Sequence, residues 1–524
     1  RRPPRPPNGV LGSPEALTRG RLLAGNVVLS ALGWAVPASL GLVCIPLLVR
    51  ALGPERFGLL AFAWTLVGSF SPFDLGVGRA LTQALAARAG RAEEDDSPAL
   101  VWSAAWLLLA LGALGGAAVW VAAPAIAGRW LNVSPGLVPE AVRAFRLLAV
   151  AVPLTVVTSG LRGVLEAGQA FRAASALRVP LALFTFVGPL AVHPLHPGLV
   201  PAVAVVVAGR LVVCALHAGQ VLGRYPALRR PRAVRAGALR EFAGAAGWMT
   251  VSTLSNPILV TGDRFVLGGA LPVAAFAQYA AVTEAASKLG LVGSVLQPVL
   301  LPAVAALRAG DPARATRLVD RALRATALAA LPPALVLVAF APEVLAAWLG
   351  PALSRGAAPL LQLLAVAYFV NTCAQIPFAA LQGAGRADLP AKFHAVEVPL
   401  YLGLLWAAVG QFGLLGAGAA CALRLAGDAA ALCVALPRAW PGAAAVRTRA
   451  LALTFGGGAL LGACALAGPL AVRTGFAVTV LVGGAVAGAR WLVTPDERAL
   501  ALAWARQRRG DGGAGRLTAA PGPP

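Results

Sequence analysis

The composition of the chain excludes an ordinary water-soluble fold. Of its 524 residues, 58% are hydrophobic and only 12% are charged, whereas soluble domains carry roughly 25% charged residues. The formal net charge of +23 could indicate a nucleic-acid-binding protein, but that class needs a basic face with partners for bases and phosphates. The basic residues instead lie between long apolar runs, which favours a membrane protein without a nucleic-acid partner.

Fourteen apolar runs account for most of the chain. A helix needs about 20 apolar residues to cross the roughly 30 Å hydrocarbon core of a bilayer, at about 1.5 Å per residue. We therefore predict an all-α polytopic membrane protein of about 14 transmembrane helices. The predicted spans are 22–49, 57–81, 100–126, 141–165, 174–192, 198–222, 241–262, 272–302, 322–341, 357–382, 394–410, 412–437, 450–471 and 474–493.

The basic residues are distributed unequally between alternate loops. Cytoplasmic loops of membrane proteins accumulate Lys and Arg. With the N-terminus inside, 33 of the 44 basic residues adjoin the predicted cytoplasmic segments and 8 adjoin the predicted external loops. The charged stretch that holds Arg50, Glu55 and Arg56 then becomes the first external hairpin. This split predicts a multi-pass protein of the cytoplasmic membrane with both termini cytoplasmic.

Weak internal repeats predict two similar halves. PLLV at 46–49 recurs as PILV at 257–260, and LEAGQA from Leu165 recurs with one insertion as LQGAGRA from Leu381. Both offsets, 211 and 216 residues, carry a span to the span six later, and parallel repeats are typical of transporters. The predicted domains are a disordered cytoplasmic tail (1–21), an N-lobe (22–222), a basic cytoplasmic linker (223–240), a C-lobe (241–437), two extra spans (450–493) and a cytoplasmic tail (494–524).

No motif for catalysis or cofactor binding is visible in the sequence. The four histidines and six cysteines form no CxxC or HExxH pair, and there is no GxxxxGK[ST] loop, so neither a metal site nor ATP hydrolysis is indicated. The acidic run at 93–96 is typical of a solvated linker. We therefore expect no enzyme activity, no cofactor and no metal.

Three segments of the chain carry a family resemblance. They are RALGPERFGLLAFAWTLVGSFSPFDLGVGRALTQALA at 50–86, TGDRFVLGG at 261–269 with AQYAAVTEAASKL at 277–289, and ALQGAGRADLPAKF at 380–393. These segments resemble Wzx-type polysaccharide biosynthesis flippases of the multidrug/oligosaccharidyl-lipid/polysaccharide exporter superfamily. The resemblance implies alternating-access transport of polyprenyl-pyrophosphate-linked oligosaccharide across a bacterial cytoplasmic membrane, for surface polysaccharide biosynthesis. The implied partners are this cargo, membrane lipids and other polysaccharide assembly proteins.

Four basic residues are candidate substrate ligands. Arg210, Lys288 and Arg424 lie well inside predicted spans, where a charge costs at least about 2.5 to 3.5 kcal/mol on insertion scales. Each should therefore face an aqueous cavity or a charged partner. Arginine and lysine suit the anionic pyrophosphate of the implied cargo. Arg264, near the outer end of span seven, is either a ligand or part of an interfacial pair with Asp263.

Structural ion pairs are the alternative interpretation for two of these bases. Glu284 and Lys288 are four residues apart, as are Arg424 and Asp428. This spacing brings side chains together on one helix face. Arg210 has no such partner in its own span, which favours a functional role for it.

Five acids are candidates for coupling transport to an ion. In the stretch SPFD, Ser71 and Pro72 have the pattern of a helix start, so Asp74 is either a capping residue or a coupling or substrate-binding group. The membrane potential could also act on the cargo directly, at about 2.3 kcal/mol per charge per 100 mV. The other four candidates are Asp263, Glu284, Glu397 and Asp428.

Two other functions remain open from the sequence. A cation-coupled multidrug exporter of the same superfamily would have a pocket dominated by carboxylates. A membrane glycosyltransferase or polymerase would need a large external catalytic loop, and the predicted external loops are short. The flippase hypothesis predicts a positively lined central cavity.

Overall fold

The chain is helical almost throughout. The computed structural model describes residues 20–70, 77–78, 81–82, 85, 97–168, 170–230, 258–440, 442–466 and 468–491. Within these ranges there is no strand, and the isolated β-bridge that they contain joins Asn132 to Pro272. The prediction of an all-α protein is confirmed.

We number the helices in chain order. Those of the first half are α1 (Gly20–Leu52), α2 (Pro54–Ser69), α3 (Ser97–Ala125), α4 (Val138–Ala149), α5 (Ala151–Ala167), α6 (Phe171–Ala176), α7 (Arg178–Val192) and α8 (Leu199–Arg224). Those of the second half are α9 (258–270), α10 (Val273–Ser287), α11 (Leu291–Gly310), α12 (Pro312–Ala339), α13 (Ala341–Leu349), α14 (Pro351–Ser354), α15 (Ala358–Gly383), α16 (Asp388–Ala435), α17 (Ala444–Ala465) and α18 (Leu470–Trp491).

Many of these helices can cross a membrane. Nine stretches of the described residues are long and apolar enough: Ala35–Leu52, Ser97–Trp130, Pro135–Ala167, Leu199–Arg224, Pro312–Ala339, Ala358–Gly383, Asp388–Arg438, Ala444–Ala465 and Leu470–Gly488. The prediction of a polytopic membrane protein is therefore confirmed. Predicted spans two and seven lie partly outside the described residues, so the total of fourteen spans and the division into two lobes and two extra spans stay predictions.

Helix α16 turns back on itself at Gly413. This residue has φ 57° and ψ −131°, a region of backbone conformation that glycine enters without a Cβ clash. Side chains from the two arms meet, since the Arg424 Nη1 atom lies 3.3 Å from Glu397 Oε1. The arms therefore lie side by side, and the turn falls where the sequence predicts a break between spans eleven and twelve.

Three hydrophobic cores divide the interior of the protein. One draws buried residues from both halves of the chain, among them Phe62, Phe145 and Phe276. It lies at the end that carries the turns at Gly53 and Pro272, which is the predicted external end. The buried residues of the second core lie only within 289–477, and those of the third only within 77–228. The halves therefore share a core at the predicted external end and have separate cores toward the predicted cytoplasmic end.

Polar contacts also join the halves at the inner end of α2, away from the predicted external turn at Gly53. The hydroxyl oxygens of Ser69 in α2 and Thr261 in α9 are 3.3 Å apart. One turn away, Arg264 Nη1 donates a hydrogen bond of 3.2 Å to Thr65 Oγ1. These contacts tie α2 to α9, so the halves can separate at this end only if both break.

The first hairpin braces the neighbouring loops. Glu55 accepts two hydrogen bonds from Ser134, one from its backbone N–H at 2.6 Å and one from its hydroxyl at 2.9 Å. Arg56 Nε lies 3.0 Å from Glu140 Oε2, and the other oxygen of Glu140 accepts the Leu199 backbone N–H at 2.6 Å. The charged residues between the first two apolar runs therefore hold three loops of the first half together.

Candidate substrate cavity

A cavity of about 1090 Å³ lies in the second half of the chain. Its described lining residues come from α9, α10, α11, α15 and α16 and the turn before α16, between Leu259 and Leu432. At one end it reaches Asp388 and Lys392, whose side chains are 41% and 66% exposed. The cavity therefore opens to the surface at the predicted cytoplasmic end, where the two halves have separate cores.

The cavity lining is mixed in charge. The described lining contains three bases, Arg264, Lys392 and Arg424, together with His394. It also contains three acids, namely Asp263, Asp388 and Asp428. The expectation of a mainly positive lining is thus wrong for the described residues of this cavity, because acids on α9 and α16 offset the bases of the same helices.

Arg424 is the most deeply placed ion-pairing base of the lining. Its side chain is 12% exposed and pairs with Glu397, which is 14% exposed. Its guanidinium carbon also lies 5.1 Å from the ring centre of Tyr401, a cation–π contact that is strengthened where water is excluded. The pairing with Asp428 that the four-residue spacing suggests is not formed. The partner on the other arm of α16 takes its place.

Three titratable groups meet beside Arg424. His394 Nε2 lies 3.4 Å from Asp428 Oδ1, and one possible ligand atom each from His394, Glu397 and Asp428 all lie within 4.8 Å of one another. Two buried oxygens here, Glu397 Oε2 and Tyr401 OH, have no hydrogen-bond partner among the described residues. The cluster has the donor atoms and the spacing to hold a proton or a cation.

Arg264 and Asp263 occupy the inner end of the cavity. The Asp263 carboxylate accepts a hydrogen bond of 2.6 Å from Tyr279 OH and one of 2.8 Å from the Arg264 backbone N–H. Arg264 also donates to Thr65, across the contact between the halves. Asp263 and Arg264 therefore lie inside the protein. The sequence alone does not decide between this position and an interfacial pair.

The mouth of the cavity carries a small charged cluster. Asp388 accepts from Arg386 Nε at 3.0 Å and from Lys392 Nζ at 3.2 Å. The hydrogen bond to Asp388 raises the pKa of the Arg386 guanidinium. Two bases surround one acid here, so the entrance has an excess of positive charge.

The remaining predicted site residues lie elsewhere. Lys288 and Glu284 form the ion pair that their spacing predicts, and neither lines the cavity. Arg210 lies in α8 and also does not line it; its buried Nε has no hydrogen-bond partner within the described part of the chain. Asp74 lies outside the described residues.

The fold is that of a known superfamily of membrane transporters. A structure titled as the lipid II flippase MurJ in an inward closed conformation matches with a TM-score of 0.68 and 10% identity, covering 88% of this chain and 99% of that one. An inward-facing multidrug resistance MATE transporter of the MOP superfamily matches with a TM-score of 0.63 and 17% identity, covering 81% and 99%. An outward-facing MATE transporter matches less well, with a TM-score of 0.53 at 18% identity, covering 82% and 96%.

The sequence identifies the family within this class. A family model described as polysaccharide biosynthesis protein matches residues 47–355, and the chain belongs to that family. A Shigella flexneri protein named as a candidate O-antigen transporter is 26% identical over 405 residues, which are 77% of this chain and 95% of the relative. The protein is a multi-pass membrane transporter of the polysaccharide biosynthesis family, as the sequence resemblance implies.

Proposed function

We propose that this protein moves a polyprenyl-pyrophosphate-linked oligosaccharide from the cytoplasmic to the outer leaflet of a bacterial cytoplasmic membrane, with both of its own termini in the cytoplasm. The observation that carries the proposal is the cavity with Arg424 and Arg264 in its interior and an entrance at the predicted cytoplasmic end. Guanidinium groups bind phosphate through paired, charge-assisted hydrogen bonds. The names of the Shigella relative and of the lipid II flippase support the same class of cargo.

The charge balance of the cavity favours an exchange of partners during binding. Glu397 is the ion-pair partner of Arg424 in the structure, so an arriving pyrophosphate would compete with Glu397 for Arg424. Protonation of Glu397 would weaken that pair and leave Arg424 to the cargo. We therefore assign ion coupling to the cluster of His394, Glu397 and Asp428, where a proton or a sodium ion would neutralise the acids. Of the acids predicted for this role, Glu397 and Asp428 are in this cluster.

Alternating access would use the contacts between the halves. The Ser69–Thr261 and Thr65–Arg264 contacts join the halves at the inner end of α2, and the halves share a core at the predicted external end. Opening that end while closing the cavity mouth would expose the cargo to the outer leaflet. Arg264 takes part both in the cavity and in the contact between the halves, so cargo binding at Arg264 would weaken its bond to Thr65.

A flipping assay tests the proposal. Purified protein in liposomes should transfer lipid-linked oligosaccharide extracted from the source cells between leaflets, and deletion of the gene should remove the surface glycan while its lipid-linked precursor accumulates inside. An unchanged surface glycan after deletion, with no accumulated precursor, would contradict the proposal.

A cation-coupled multidrug exporter remains the second candidate function. The three acids in the cavity lining, Asp263, Asp388 and Asp428, are the observation that favours it, because carboxylates bind cationic drugs. Active efflux of cationic dyes from cells that produce the protein, without any effect on surface glycan, would favour this candidate over the flippase.

A further inference from the structure

One wall of the cavity carries no charge. Helix α15 contains no charged residue over its 26 positions, although α9 and α16 supply acids and bases to the same cavity. Its lining side chains are Tyr368, Asn371, Gln375, Phe378 and Gln382, together with Ala374. The steps of three, four, three and four residues between the five larger side chains place them on one face of the helix. The stripe is about 21 Å long at 1.5 Å per residue.

Amides inside a membrane helix often join neighbouring helices, and two amides of α15 do so. Gln362, which is not in the cavity lining, donates a hydrogen bond of 3.1 Å to the Val338 carbonyl. Gln375 donates one of 3.3 Å to the Gly290 carbonyl. Such bonds are the ordinary structural use of polar side chains in this setting.

The other two amides of α15, Asn371 and Gln382, form no such bond to a neighbouring helix among the described residues. Within the described ranges, the side chains of Asn371 and Gln382 form no hydrogen bond, and both face the cavity. Polar groups at membrane depth, where Asn371 lies, are costly unless they are paired or face a water-filled space with a functional role. Gln382 lies in the last turn of α15, toward the mouth of the cavity. The two amides therefore point to a ligand that offers both donors and acceptors.

The chemistry of this wall fits the hydroxyl groups of a sugar. Each amide offers one carbonyl acceptor and two N–H donors in a plane, which match the neighbouring hydroxyls of a sugar ring. The aromatic rings of Tyr368 and Phe378 offer flat apolar surface for the C–H face of the same ring. Phe378 also stacks on His394, with ring centres 6.2 Å apart and planes at 22°, so it stands where the uncharged wall meets the charged wall.

We propose that the uncharged stripe of α15 binds the sugar residues next to the pyrophosphate, with Asn371 and Gln382 as residues that select the glycan. The charged wall then holds the pyrophosphate, and the two walls together match a ligand with an anionic part and a neutral hydroxyl-rich part. The volume of about 1090 Å³ is at the upper end of ligand pockets, which leaves room for sugars beside the phosphates. This inference rests on the proposed function, because it assumes a lipid-linked glycan.

The test compares two probes that share a lipid pyrophosphate. Binding of farnesyl pyrophosphate, which has no sugar, and of lipid-linked oligosaccharide extracted from the source cells is measured by native mass spectrometry on the full-length protein in nanodiscs. The wild type should bind the glycosylated probe more tightly. The double variant Asn371→Leu/Gln382→Leu should lose about 10-fold or more in affinity for the glycosylated probe and keep its affinity for farnesyl pyrophosphate.

The matched control is Gln362→Leu, which removes an amide from the same helix outside the cavity and should change neither affinity. Equal weakening of both probes by the double variant, or no change in either, would overturn the sugar assignment and leave the phosphate site in place. Equal binding of both probes by the wild type would also overturn the sugar assignment and leave the phosphate site in place. A wild type that binds neither probe would overturn the proposed function together with the sugar assignment.

Discussion

Arg424 and Glu397 form an ion pair between the two arms of α16, with 3.3 Å between Nη1 and Oε1, although the two residues are 27 positions apart in the chain. Both side chains are almost fully buried, and breaking such a pair leaves an uncompensated charge. In the proposed mechanism, a phosphate that enters the cavity would supply the replacement partner. The pair therefore links the charge state of Glu397 to the ability of Arg424 to hold an anion.

Replacing Glu397 by glutamine should make the cavity bind anions more tightly. Without the carboxylate, Arg424 needs no exchange of partners, so we expect the affinity for inorganic pyrophosphate to rise by about 10-fold, or about 1.4 kcal/mol. Isothermal titration calorimetry on the purified protein measures this change. The control is Glu343→Gln, which removes the partner of Arg473 at 3.1 Å outside the cavity. An unchanged affinity in Glu397→Gln would show that the pair does not compete with the anion.

Two arginine variants should separate the cavity from α8. Arg424→Ala should lower pyrophosphate affinity by at least about 10-fold, since a charge-assisted hydrogen bond contributes roughly 1.5 to 3 kcal/mol. Arg210→Ala should leave this affinity unchanged, because Arg210 does not line the cavity. The same calorimetric measurement, with the melting temperature of each variant as a check on folding, decides the point. A loss of pyrophosphate binding in Arg210→Ala alone would move the anion site to the first half.

A disulfide across α2 and α9 should stop transport. The Ser69 and Thr261 hydroxyl oxygens are 3.3 Å apart, so cysteines at both positions are close enough to be joined by oxidation. The bond would hold α2 and α9 together on the external side of the cavity, and we expect flipping to stop on oxidation and to return on reduction. The control pair, Glu55→Cys with Ser134→Cys, joins two loops of the same half. Oxidation of this pair should leave flipping largely intact. Full transport in the oxidised Ser69/Thr261 variant would contradict alternating access at this contact.

An added methyl group at Gly293 should weaken the contact between α11 and α15. A Cβ there would lie 2.7 Å from Gln375 Oε1 and 2.9 Å from the Thr372 carbonyl oxygen. The helices must move apart, and overpacking of this kind costs roughly 1 to 3 kcal/mol. We expect a lower melting temperature for Gly293→Ala. At Gly403, in α16, a Cβ would meet nothing within 4 Å, so Gly403→Ala should match or exceed the wild type. Equal melting temperatures for the two variants would mean that α11 and α15 adjust without cost.

The sequence predicts contacts within one helix better than contacts between helices. The Glu284–Lys288 pair is visible as a four-residue spacing and is present in the structure. The partners of Arg424 and Asp428 are not visible in this way, because Glu397 and His394 reach them only after α16 turns back at Gly413. The four-residue spacing predicts Asp428 as the partner of Arg424. The turn at Gly413 brings Glu397 to Arg424 instead.

The cavity lining is a second feature that the sequence predicts only in part. The spacing of Asn371, Gln375, Phe378 and Gln382 is readable in the sequence as one helix face, but only the packing of α15 shows that this face borders a cavity. The excess of basic residues predicts which loops are cytoplasmic, but it does not determine the charge of the cavity. Because the acids lie on the same helices as the bases, a count over the whole chain could not reveal the balance inside.

The apolar core shared by the halves also insulates the membrane. A cavity of this size, open to water at both ends, would let protons and small ions cross and would discharge the ion gradients on which the cell depends. A bare ion passing through hydrocarbon-like packing meets a barrier of many kcal/mol, and buried aromatic side chains such as Phe62 and Phe276 form that barrier here. The packing of this shared core therefore limits the leakage of ions through the protein.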